Sequence, residues 1–91
     1  MDLRTSIEQK LRTALTPTFI DVVDQSAGHA GHAGASGGGH YQAILVSNAF
    51  EGLSQLQRQR RVYQVLAEEM RGSIHALAMT CLTPAEYEAE E

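Results

Sequence analysis

The chain is poor in the residue types that mark several protein classes. Its 91 residues include no tryptophan, one cysteine and two prolines, and aromatic residues make up only 5% of them. A single cysteine, Cys81, excludes an internal disulfide framework. Seven basic residues against eleven acidic ones give a net charge of −4, so the chain as a whole does not attract nucleic acid or an anionic membrane. No apolar run approaches the roughly 20 residues that a membrane-spanning helix needs.

The rest of the composition predicts one folded domain. A hydrophobic content of 43% favours a folded chain. This length supports one modest core, so we assign residues 1–91 to a single domain. The N-terminus lacks both a hydrophobic signal core and an arginine-rich transit pattern, which predicts a cytoplasmic protein with no membrane partner. We predict no enzymatic activity, because the chain has neither a Gly-x-Ser-x-Gly elbow nor a phosphate-binding loop.

The first half of the chain predicts a helix followed by two strands. A helical apolar stripe precedes Pro17, which is expected to end the helix. Residues 18–25 and 40–48 alternate as strands do. Between them, residues 27–39 contain six of the eight glycines and are predicted to be a loop. Two strands with no helix between them predict an antiparallel hairpin. The stripe consists of Leu3, Ile7, Leu11, Ala14 and Leu15.

A long amphipathic helix is predicted over residues 54–71. Ser54 and Gln57 have the spacing of a capping box, and Gly72 is expected to end the helix in the left-handed conformation. The predicted core face is centred on Tyr63, with Arg58 and Arg61 on the opposite, solvent-facing side. The other members of the predicted core face are Leu56, Leu66, Ala67 and Met70.

The remaining residues predict a third strand and a short terminal helix. From residue 73 the apolar period changes to two, and the larger side chains predict a core face that begins with His75 and continues with Leu77, Met79 and Cys81. Thr83, Pro84 and Glu86 have the pattern of a capped helix start, and residues 88–91 form an acidic tail. The predicted fold is α+β, in the order α-β-β-α-β-α, with helices packed on a three-stranded sheet.

All four histidines lie in or beside the glycine-rich loop or at the start of the last strand. If His75 faces the loop, its imidazole and that of His29 or His32 can bind one zinc, copper or iron ion and leave positions for ligands from another molecule. The alternative is that the loop histidines are solvated residues of a low-complexity segment. Spacing alone does not decide between a shared metal site and solvated histidines.

The only basic cluster lies on the long helix. Arg58 and Arg61 share its predicted exposed face and can contact phosphates or an acidic protein. Exposed arginines on a helix more often serve solubility, and without tryptophan there is little aromatic surface for base stacking. The cluster therefore indicates nucleic-acid binding only weakly.

The sequence resembles the BolA family over nearly its whole length. The most specific matches are Ile-His-Ala-Leu at 74–77 and Thr-Pro-Ala-Glu-Tyr at 83–87. The others, in chain order, are Ser-Ala-Gly-His at 26–29, His-Tyr at 40–41, Ile-Leu-Val-Ser at 44–47, Phe-Glu-Gly-Leu at 50–53, Arg-Gln-Arg-Arg-Val-Tyr at 58–63 and Leu-Ala-Glu-Glu at 66–69.

This resemblance implies a fold similar to class II KH domains and a role as partner of a monothiol (CGFS-type) glutaredoxin in iron-sulfur metabolism. A [2Fe-2S] cluster is then shared with the glutaredoxin cysteine and glutathione, and is absent from the isolated chain. The implied ligands in this chain are His75 and a loop histidine, His29 or alternatively His32. A competing implication is a transcriptional regulator that binds DNA through Arg58 and Arg61. The isolated chain can also form a homodimer, which the sequence neither predicts nor excludes.

Overall fold

The computed structural model describes residues 3–25 and 39–89. Along these ranges the elements are α1 (Leu3–Leu15), β1 (Phe19–Asp24), β2 (Gly39–Val46), a 3₁₀ turn (Asn48–Phe50), α2 (Gln55–Val65), α3 (Ala67–Met70), β3 (Ile74–Leu82) and α4 (Pro84–Ala89). The predicted α+β element order is confirmed, with α2 and α3 in place of one long helix. The predicted loop over 27–39 lies outside the described residues except for Gly39, and so do the last two residues of the acidic tail.

The three strands form one mixed sheet in the order β1-β2-β3. β1 pairs with β2 antiparallel, which confirms the predicted hairpin. β2 pairs with β3 in parallel, because α2 and α3 carry the chain back before β3 begins. None of the helices in the described ranges has both the length and the apolar character that crossing a membrane requires.

The core lies between one face of this sheet and the helices. The α1 helix contributes the predicted stripe residues Ile7, Leu11 and Leu15 to this core, whereas Ala14 is exposed. The α1 helix ends at Leu15, and Thr16 then adopts a positive φ of 40° that turns the chain toward β1. The other buried apolar residues of this core are Ile20, Val22, Tyr41, Ala43, Leu45, Phe50, Val62, Leu66, Ile74 and Cys81.

The start of α2 follows the prediction, but the buried face of the long helical segment follows it only in part, through Leu66 and the partly buried Met70. The Ser54 hydroxyl accepts from the Gln57 N–H at 3.2 Å, and the Gln57 side chain accepts from the Ser54 N–H at 2.8 Å. Tyr63, the predicted centre of the core face, is 40% exposed, and Leu56 is 55% exposed. Arg58 is only 5% exposed, so its predicted position on the solvent-facing side is wrong. The buried residues of this segment are Arg58, Val62, Leu66 and Glu69.

The end of the long helical segment also differs from the prediction. Leu66 leaves helical geometry at φ −102° and ψ 23° and separates α2 from α3. Gly72 does not have a positive φ, and Gly52 is the glycine of the described ranges that does. The N–H groups of Arg71 and Gly72 donate to the carbonyls of Glu68 and Glu69, three residues earlier. These tight 3₁₀-type bonds end the helix without a left-handed glycine.

Candidate metal-binding site

A β-bulge at the start of β3 sets the position of His75. In the parallel pairing Gly39 lies opposite Ile74, but the next residue, His40, lies opposite Ala76, so His75 is the extra residue of the bulge. Ile74 and Leu77 therefore both face the core, although a regular strand sends residues three apart to opposite faces. The prediction that His75 leads the core face is wrong for this reason, and its side chain is exposed.

The bulge brings two imidazoles together. The ring of His75 lies against the ring of His40 on the neighbouring strand, with centroids 5.1 Å apart and planes tilted by 44°. His75 is exposed and His40 is partly buried. From the sequence, His40 was expected beside the glycine-rich loop and was not among the predicted site residues. Its partnership with His75 depends on the parallel pairing of β2 with β3, which no local pattern in the sequence specifies.

The histidine-rich segment is attached at this same end of the sheet. Its flanking residues are held by backbone hydrogen bonds, from the Gln25 N–H to the His40 carbonyl at 2.7 Å and from the Gly39 N–H to the Ser73 carbonyl at 3.0 Å. The predicted loop ligands His29 and His32 lie outside the described residues. Within 3–25 and 39–89, no three side chains of histidine, cysteine, aspartate or glutamate are grouped to hold a metal ion. The described residues therefore supply two imidazoles at this end.

Cys81 is not part of this site. Its side chain is buried at 2% exposure in the core, near the far end of β3 from His75. Burial raises the pKa of the Cys81 thiol from 9.0 to about 11, against the opposing charge of Arg58. A thiol that resists ionisation is a poor metal ligand, because metals bind the thiolate. Its position matches the predicted core role.

The two predicted partner-surface arginines have different environments. Arg61 is exposed on α2, as is its neighbour Arg60. Arg58 instead points between α2, β3 and α4, where its guanidinium donates to the Cys81 carbonyl at 3.0 Å and to Glu86 at 2.6 Å. These bonds provide the buried Arg58 guanidinium with hydrogen-bond partners and a counter-charge within the fold. Arg58 is therefore not part of an exposed phosphate-binding face. Arg60 and Arg61 are the two exposed arginines of this cluster.

The fold and the imidazole pair together define a class of small α+β domain. It carries a three-stranded mixed sheet, and the exposed His75 and partly buried His40 imidazoles lie together at the end of the sheet where the hairpin segment joins. The family model described as BolA-like protein matches residues 11–86. The chain belongs to the BolA family.

Relatives of known sequence agree with this assignment. Human BolA-like protein 1 is 42% identical over 85 residues, which cover 93% of this chain and 61% of that protein. The Escherichia coli K12 DNA-binding transcriptional regulator BolA is 43% identical over 88 residues, which cover 97% of this chain and 82% of that protein. This chain thus spans about three fifths of the human relative's length.

A solved structure agrees as well. The crystal structure of a Bol-like protein from Babesia bovis superimposes with a TM-score of 0.83 at 41% sequence identity. The match covers 99% of this chain and 94% of the Babesia chain. The described ranges therefore have the BolA fold.

Proposed function

We propose that this protein is the partner of a monothiol (CGFS-type) glutaredoxin and shares a [2Fe-2S] cluster with it, in iron-sulfur cluster trafficking or in iron and redox regulation. The observation that carries the proposal is the exposed imidazole of His75 on its bulge. The other half of the coordination comes from the glutaredoxin cysteine and glutathione, as the family resemblance implies.

The residues at this end of the sheet fit such a cluster. Neutral imidazole is an established ligand of iron, and two imidazoles on one iron are known in [2Fe-2S] centres. His75 is one ligand, and His29 or His32 from the segment between β1 and β2 is the other. Since two protein ligands do not complete a coordination sphere, the site requires a second molecule. Imidazole in place of thiolate lowers the negative charge around the iron and raises the reduction potential of the bound cluster.

The proposal is tested by mixing the full chain with a cluster-loaded CGFS glutaredoxin and glutathione. Absorbance and circular dichroism in the visible range report the ligands of the cluster. We expect the wild-type chain to change both spectra, and we expect His75→Ala to abolish that change. Thr80→Ala, an exposed substitution on the same strand, is the matched control and is expected to behave as wild type. Identical spectra for the His75→Ala and wild-type mixtures are the result that rejects the proposal.

The loop ligand is identified in the same assay. His29→Ala and His32→Ala are compared singly and together. Loss of the spectral change in only one of the single variants assigns that residue as the second ligand. If only the double variant loses it, then either histidine can serve. A glutaredoxin complex that forms on gel filtration without any cluster indicates a docking partner that needs no metal.

DNA binding is a second candidate, favoured by the exposed arginines of α2 and by the printed name of the Escherichia coli relative. Each phosphate contact steepens the fall of affinity with salt, by about 0.9 in the logarithmic slope for duplex DNA. We therefore compare the affinity of Arg60→Ala/Arg61→Ala with that of Arg4→Ala/Arg12→Ala across a salt series. The control pair removes the same charge from α1, where both arginines bond Glu8. Absence of binding at low salt rejects the DNA hypothesis.

A further inference from the structure

The contact between His40 and His75 includes a histidine, His40, that is not one of the proposed cluster ligands. The two imidazoles come from neighbouring parallel strands, and the bulge places their ring centroids 5.1 Å apart. We propose that His40 and His75 form a two-imidazole chelate that binds a divalent transition-metal ion in the isolated chain, without glutaredoxin.

The separation of the rings suits such an ion. In a tetrahedral zinc site the metal lies about 2.0–2.1 Å from each imidazole nitrogen, and each nitrogen lies roughly 1.1 Å from its ring centre. Two rings on one tetrahedral ion then have centroids about 5 Å apart. The His40 and His75 rings already have this spacing at 5.1 Å. The centroid spacing is therefore compatible with both rings binding one ion.

Along β3, the exposed neighbours of His75 carry small side chains. His75 is exposed, and the next exposed positions along β3, Ala76 and Ala78, carry only methyl groups. Two protein nitrogens leave at least two positions of a tetrahedral ion to water or to a second molecule. Imidazole favours zinc, nickel and copper, whereas magnesium and calcium favour oxygen ligands. The expected ion is therefore a first-row transition metal such as zinc.

Any test has to distinguish zinc binding by the loop histidines from zinc binding by this pair. His29 and His32 are three residues apart and can bind zinc by themselves. We therefore use the full chain with His29→Ala/His32→Ala as the parent, so that His40 and His75 are its two remaining histidines. Zinc chloride is titrated into this parent, and binding is followed by calorimetry and by the nitrogen and carbon-bound proton resonances of the imidazole rings.

We expect zinc to shift the ring resonances of both His40 and His75 with the same midpoint. We expect His40→Ala and His75→Ala, each added to the parent, to weaken zinc binding at least tenfold. Thr80→Ala in the parent is expected to leave the affinity within twofold. Backbone amide spectra establish that each variant is folded, and His40→Asn replaces His40→Ala if the partly buried position does not tolerate alanine.

Two results overturn the proposal. One is zinc affinity of the His40 variant within twofold of its parent. The other, which needs no substitution at His40, is a zinc-dependent shift confined to the His75 ring or absent from both rings; the contact is then packing alone. Because no glutaredoxin is present, these outcomes are independent of the cluster-sharing proposal, which can fail or succeed separately.

Discussion

The guanidinium of Arg58 and the carboxylate of Glu86 form a two-pronged ion pair across 28 residues of sequence. Nη1 donates to one carboxylate oxygen at 2.6 Å, and Nη2 donates to the other at 3.2 Å. The same guanidinium donates to the carbonyls of Cys81 and Leu53, each at 3.0 Å, and lies 5.9 Å from the centre of the Phe50 ring. One side chain on α2 therefore holds the end of β3, the turn before α2 and the start of α4 together.

Loss of Arg58 is expected to destabilise the fold. Arg58→Met keeps much of the side-chain length but removes the guanidinium donor from the Leu53 and Cys81 carbonyls and the charged partner from Glu86. The Cys81 carbonyl then keeps only the longer bond from the Gln55 side chain at 3.4 Å. We expect a loss of about 2–3 kcal/mol in the free energy of unfolding. Arg61→Met is the control, because it removes the same charge from an exposed position of α2 and is expected to cost less than about 0.5 kcal/mol. Urea denaturation followed by circular dichroism measures both. Equal losses for the two variants contradict this role for Arg58.

The same ion pair makes stability depend on pH in the acid range. Hydrogen bonds from Arg58, together with the Thr83 N–H, lower the pKa of Glu86 from 4.5 to about 2. A carboxylate whose pKa is lower in the folded state than in the unfolded chain stabilises the fold above the unfolded value, and this contribution is lost as the pH falls toward the folded value. The stabilisation by Glu86 is thus complete above about pH 4.5 and declines toward pH 2.

Glu86→Gln provides the measurement. The free energy of unfolding of the variant and the wild type is compared by urea denaturation at several pH values between 6 and 2.5. We expect the variant to be less stable at pH 6, and we expect the difference to shrink as the pH falls. A difference that stays constant over this range shows that the Glu86 carboxylate does not stabilise the fold through its charge.

The Cys81 thiol is predicted to be unreactive in the folded protein. Its pKa of about 11 leaves roughly a hundredfold less thiolate at pH 8 than a pKa of 9.0 would, and its burial also blocks access. We expect a disulfide-exchange reagent to react with Cys81 at least about a hundredfold more slowly in native protein than in guanidinium. A native rate close to the unfolded rate shows that the thiol is accessible.

The bulge predicts losses of stability of very different size for two adjacent residues. Ile74 is buried in the core, so Ile74→Ala is expected to cost about 2–4 kcal/mol in the free energy of unfolding. His75 is exposed, so His75→Ala is expected to cost less than about 0.5 kcal/mol. Urea denaturation of the two variants under the same conditions distinguishes them. A larger loss for His75→Ala indicates a regular strand with His75 on its core face.

The two helix starts that depend on residues three apart in the sequence were predicted correctly. The capping box of Ser54 is one example, and the capped start of α4 is another: the Thr83 hydroxyl accepts from the Glu86 N–H at 3.2 Å, and the Glu86 carboxylate accepts from the Thr83 N–H at 2.9 Å. Both ends of each pattern lie three residues apart, so backbone geometry alone brings the groups together. The sequence also placed all four histidines in or beside the same loop or at the start of β3.

The tertiary structure decided which side of α2 is buried and which imidazole lies beside His75. Arg58 can leave water because Glu86 and the Cys81 carbonyl, both more than 20 residues away in the chain, replace the water that its charge gives up. His40 meets His75 because β2 and β3 pair in parallel with one extra residue in β3. A hydrophobic period describes one element at a time, whereas these contacts depend on how separate elements are aligned.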